Sequence, residues 1–75
     1  MRSRISIDPE VCHGKPVIKN TRVLVSNILA DLSAGRTFQQ IIKSYPSLTE
    51  VDIRSALAFG SELAKFEGIP YEAAL

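Results

Sequence analysis

Apolar and polar positions alternate near the start of the chain, where Ile5 and Ile7 flank Ser6 ahead of Asp8-Pro9. This pattern predicts a short strand, stopped by a residue that cannot donate a ladder hydrogen bond. Val17-Ile18 and Val23-Leu24-Val25 are two further β-favouring runs, separated by Lys19-Asn20-Thr21-Arg22. Asn is the non-glycine residue that best tolerates the positive φ of a tight turn, so a hairpin centred near Asn20 follows.

The spacing then becomes helical. Ser26 is placed to cap helix one, which carries Ile28, Leu29 and Leu32 and ends at Gly35 in the left-handed conformation. Thr37 caps a short helix two with Phe38, Ile41 and Ile42, ended by Tyr45-Pro46 because the residue before proline avoids the α region. Thr49 with Asp52 resembles a capping box, Asp standing for the usual Glu or Gln, and starts a helix three that runs to about Glu67 before Gly68 and Pro70. On a helical wheel Ile53, Ala56, Leu57, Gly60, Leu63 and Ala64 form its core stripe, and Glu50, Arg54, Ser61 and Lys65 the opposite face. Phe59 and Phe66 lie beside the stripe and, with Leu63, widen the apolar arc beyond what two short helices cover. A second chain or the C-terminal tail is expected to meet them. In that tail, Ile69, Tyr71 and Leu75 are apolar anchors for a partner or dimer mate, with fraying as the alternative.

The expected organisation is a single mainly α domain over 1–75: a strand and hairpin arm at 1–25, a three-helix core at 26–67 and a short tail at 68–75. At 75 residues such a chain buries about 60% of its unfolded surface, so a homodimer is expected to make up its stability. No apolar run approaches the roughly 20 residues of a membrane span, and no apolar segment follows Arg2 and Arg4 as in a secretory signal. The expectation is a soluble, cytoplasmic protein without membrane contact. Cys12 is the one cysteine, so no internal disulfide and no structural zinc site is expected. Asp8, Glu10 and His13 fall within six residues, but solvation of a loop explains them as well as a metal does. No nucleophile, acid and base are brought together by the pattern, so neither an enzyme nor a cofactor is expected.

Charge is unevenly placed although the net is only +1: residues 1–24 hold Arg2, Arg4, Lys15, Lys19 and Arg22 against Asp8 and Glu10. A polyanion would meet this basic third first. The stretch from Gly14 to Arg22 lacks the Walker spacing of a nucleotide-binding loop and reads first as a hairpin scaffold. Lys15, Lys19 and Arg22 remain candidates for phosphate contact on it. Helices two and three, joined by Ser44-Tyr45-Pro46-Ser47-Leu48, suggest a helix-turn-helix with Thr49, Glu50, Val51, Arg54, Ser55 and Ala58 facing outward. Arg54 suits guanine, and Thr49 or Ser55 suits a base or phosphate, whereas Glu50 and Asp52 would repel phosphates. A three-helix core that binds no nucleic acid is the competing reading.

The segments running from Asp8 to Gly35 and from Ile41 to Phe59 closely resemble domain-of-unknown-function family 433, small prokaryotic proteins with Gly-Lys-Pro-x-Ile, Thr-Arg and Tyr-Pro-x-Leu-Thr followed by Asp-Ile and Ala-Leu. The resemblance implies a homeodomain-like helix-turn-helix preceded by a β-hairpin. It also implies an antitoxin, often encoded beside a PIN-like ribonuclease toxin, and the expected function is that of a type II toxin-antitoxin system's antitoxin that dimerises and regulates transcription from its own operator DNA. The matching positions are Gly14, Lys15, Pro16, Ile18, Thr21, Arg22, Tyr45, Pro46, Leu48, Thr49, Asp52, Ile53, Ala56 and Leu57, most of them structural in character. Asn20 stands where the family usually has Gly, which keeps the positive-φ turn. A protein-interaction module of the same fold without DNA binding is the alternative.

Overall fold

The structure, a computed structural model, describes residues 4–65. The expectations placed on Phe66, Ile69, Tyr71 and Leu75 lie outside the described residues. Two short strands, β1 (Ile5–Ser6) and β2 (Val17–Ile18), pair antiparallel with Ile5 opposite Ile18 and Ser6 opposite Val17. Three helices follow, α1 (Val25–Ser33), α2 (Phe38–Ser44) and α3 (Glu50–Ala64). The fold is mainly α, three helices with an N-terminal antiparallel pair.

The turn after β2 forms where Asn20 predicts it. Asn20 has φ +64°, the Thr21 amide donates to the Ile18 carbonyl at 3.0 Å, and the Thr21 hydroxyl donates to the same oxygen at 2.7 Å. The limb beyond it is shorter than expected, a single bridge between Val17 and Leu24 in place of a strand over 23–25. The main partner of β2 is β1, reached across a loop in which Cys12, His13 and Gly14 all have positive φ. Ser26 does not cap α1. The Val25 amide donates to Pro16 O at 3.0 Å, and the helix begins two residues earlier than expected, with Leu24 at its N-cap and Ser26 exposed in the first turn.

At the other end Gly35 adopts φ +89° and donates to Leu32 O at 3.0 Å. A methyl group built at Gly35 meets nothing within 4 Å, so the strain of Gly35→Ala is purely conformational. A loss of about 1 kcal/mol is expected by urea denaturation. Thr37 and Gln40 close a capping box on α2, each side chain taking the other's backbone amide at 3.1 and 2.9 Å. Thr49 and Asp52 do the same on α3 at 3.3 and 2.9 Å, so the Asp completes the box despite its shorter reach.

The core gathers one residue or more from every element after β1: Ile18, Val25, Ile28, Ile41, Leu48, Ile53 and Ala56. Gly60 lets α1 approach α3, since a Cβ there would lie 3.3 Å from Leu29 Cδ1. The buried arc of α3 differs from the predicted stripe. Asp52, Ile53, Ser55 and Ala56 are buried, whereas Leu57 and Leu63 are 41% and 64% exposed and Ala64 is exposed. The reason is β1, which lies against α3 and covers a side of the helix that apolarity alone does not mark.

Candidate nucleic-acid interface

The basic arm and the start of α3 meet through one ion pair. Arg4 Nε donates to Asp52 Oδ1 at 2.5 Å, and the Arg4 carbonyl accepts from the Lys19 amide at 2.7 Å. Asp52 is only 3% exposed at its side chain, against 46% for Arg4. Burial by itself would raise the Asp52 carboxyl. The Arg4 hydrogen bond, the Thr49 backbone amide and the Arg4 charge outweigh it and hold the group below its ordinary value. Asp52 is therefore a compensated, inward-facing charge and not the phosphate-repelling one expected from its place on the helix.

The base-reading set on α3 contracts. Thr49 and Arg54 are exposed, as expected. Ser55 is not: it is fully buried, and its hydroxyl donates to Val51 O at 2.9 Å, which removes it from any DNA-facing surface. Arg54 donates to Glu50 Oε1 at 3.2 Å, both side chains being 61% exposed. Such an exposed pair contributes about 0.3–0.5 kcal/mol, so it restrains Arg54 only weakly.

On the arm, Lys15, Lys19 and Arg22 are all exposed. Lys19 and Arg22 line an open cleft that also takes in Asn27 from the first turn of α1 and Tyr45 and Ser47 from the corner between α2 and α3. Lys15 is not part of its wall. Asn27, Tyr45 and Ser47 escape a linear reading because they lie on two separate segments that only the fold brings beside the turn. Arg4 left a fainter signal: a buried cap Asp with one oxygen on Thr49 needs a donor for the other.

Of the surface expected to meet a partner, Phe59 is half-buried and Leu63 protrudes from the last turn of α3. Among the described residues no three His, Cys, Asp or Glu side chains are grouped to hold a metal. Asp8, one of the loop carboxylates considered above, takes the Glu10 amide at 2.9 Å. No helix among the described residues is long and apolar enough to cross a membrane.

The model of DUF433, a family described as proteins of unknown function, matches residues 5–60, from β1 to the middle of α3. The chain belongs to the DUF433 family. A relative, the uncharacterized protein y4eO of Sinorhizobium fredii (strain NBRC 101917 / NGR234), is 33% identical over 55 residues, which are 73% of this chain and 25% of that protein. The chain thus spans about a quarter of that relative's length. The crystal structure of a DUF433 member from Anabaena variabilis ATCC 29413 superposes with a TM-score of 0.74 at 32% identity, covering 79% of this chain and 58% of that one. The DUF433 match takes in both strands, all of α1 and α2, and the capped start of α3, which together carry the arm and the cleft.

Proposed function

We propose that this DUF433 chain is the antitoxin of a type II toxin-antitoxin pair: a cytoplasmic, homodimeric binding protein, not an enzyme. In this reading it holds a PIN-like ribonuclease toxin and regulates its own operator through the basic arm and the start of α3. The observation that supports it most is the division of α3. Its first turn joins the basic arm with Asp52 neutralised, while Leu63 at the far end is 64% exposed on the continuation of the buried face. One helix thus offers a polyanion and an apolar partner separate surfaces. The neutralising mechanism is steric occlusion of the toxin, and dimeric symmetry raises weak DNA contacts through effective concentration.

The test is co-purification of tagged protein from its native operon, followed by mass spectrometry and a gel shift of the complex on its own upstream DNA. A ribonuclease-like partner and a salt-sensitive shift are expected. Leu63→Asp is expected to weaken toxin capture at least about tenfold while leaving the melting temperature unchanged, because an exposed side chain supports a partner and not the core. A homodimer with neither partner nor shift would leave only the family and fold standing.

One specific observation favours the second reading, an interaction module without DNA binding. Of the residues expected to face bases, Ser55 is buried, and Arg54 has the Glu50 carboxylate beside it. Arg54→Glu separates the two readings: loss of the shift with the toxin complex intact supports readout by α3, and a wild type that shifts no DNA supports the module.

A further inference from the structure

Lys19 and Arg22 differ from the three ion-paired arginines of the described residues. Arg4, Arg36 and Arg54 are each paired with a carboxylate, whereas among the described residues Lys19 and Arg22 have no ion-pair partner. Both line the same cleft, and the carboxylate that shares its wall, Asp8, spends one oxygen on the Glu10 amide. Across from them Asn27 and Ser47 present an amide and a hydroxyl that make no side-chain hydrogen bond within the described residues. Two cations beside neutral donors form the set that proteins use on phosphate oxygens, where contacts fix register without reading sequence.

The backbone that carries the cations is also fixed. The turn that carries them is closed by the Thr21 amide and hydroxyl on Ile18 O, and by the Val23 amide on Thr21 Oγ1 at 3.0 Å. A rigid turn loses little freedom on binding an anion. Ser47 belongs to the corner that leads into Thr49 and the first turn of α3, so an anion in the cleft lies beside the helix face assigned to DNA.

We infer that this cleft seats a backbone phosphate of duplex DNA, gripped by Lys19 and Arg22 and hydrogen-bonded by Asn27 and Ser47. The inference rests on the DNA half of the proposed function and assigns it a phosphate contact distinct from base readout by Arg54. It makes the turn a positioning device that sets how α3 approaches the groove.

The test is a fluorescence-anisotropy titration of the full chain with a duplex from its own upstream region and a scrambled duplex of equal length, from about 50 to 200 mM NaCl. Lys19→Ala and Arg22→Ala are each expected to weaken both duplexes alike and to lower the slope of log K against log salt by about 0.9. Over that range the affinity lost to salt then shrinks about 3.5-fold per cation removed. Lys19→Arg is expected to keep the slope, as is Lys65→Ala at the far end of α3, and thermal melts establish that every variant is folded. A wild type that binds while both alanine variants keep its slope overturns the phosphate seat and leaves the proposed function standing. A wild type that binds neither duplex overturns both. Loss of toxin capture with an unchanged slope overturns the seat in favour of an acidic protein segment.

Discussion

Ile53→Ala is expected to cost about 3 kcal/mol of unfolding free energy, and Leu57→Ala, one turn further along α3, less than about 1 kcal/mol. Ile53 is fully buried among Ile18, Ile28, Ile41 and Leu48, so truncation removes apolar contact and leaves a cavity that surrounding helices cannot collapse into. Leu57 is 41% exposed, and much of its side chain already faces water. A domain of 75 residues is expected to hold about 4–11 kcal/mol in total, so the Ile53 loss is a large fraction of it. In a thermal melt it corresponds to a fall of about 15 °C or more, against a few degrees for Leu57. Equal losses at the two positions would mean that α3 buries the face its apolar pattern suggests and not the face packed against β1.

That contrast shows where the sequence was legible. Local signals with a covalent or steric cause came through: Asn20 at positive φ, Gly35 ending α1, Thr37 and Thr49 capping their helices, and Pro46 closing α2. Each depends on neighbours within four or five residues. Long-range packing did not come through. A wheel ranks helix positions by apolarity, yet Asp52 and Ser55 are buried, Asp52 against Arg4, which precedes β1 and lies nearly fifty residues earlier. Ser55 is tolerated there because its hydroxyl returns to Val51 O, a bond the sequence allows at many serines and marks at none. The start of α1 lies before Ser26 for a similar reason, since the Val25 amide is taken by the Pro16 carbonyl of a preceding segment. In the candidate site the cations were legible as charge. Their grouping with Asn27, Tyr45 and Ser47 required the tertiary fold.

The second large effect is expected at Arg4, and its size depends on pH. Arg4→Met keeps much of the aliphatic bulk and the backbone bond from Lys19, but leaves Asp52 Oδ1 buried without its donor. A loss of about 2 kcal/mol is expected near neutral pH, below the cost of breaking a fully buried pair because Arg4 is 46% exposed. In the native protein the Asp52 carboxyl is held below its ordinary value, so its contribution is complete above the unfolded carboxylate pKa of about 3.9 and fades as pH falls through the lower folded value. In the variant, burial remains while the main opposing hydrogen bond is gone, so the carboxyl moves upward. As it moves towards or past the unfolded value, the stability that the ionised carboxyl contributes above that value is lost. The gap between native protein and variant should therefore be widest at neutral pH and narrow as pH falls from the unfolded carboxylate value through the lower value of the native Asp52 carboxyl. Urea denaturation of the two proteins across that range measures it. A gap that stays constant would mean that Arg4 supports the fold through packing alone, and that the ion pair joining the arm to α3 adds no stability of its own.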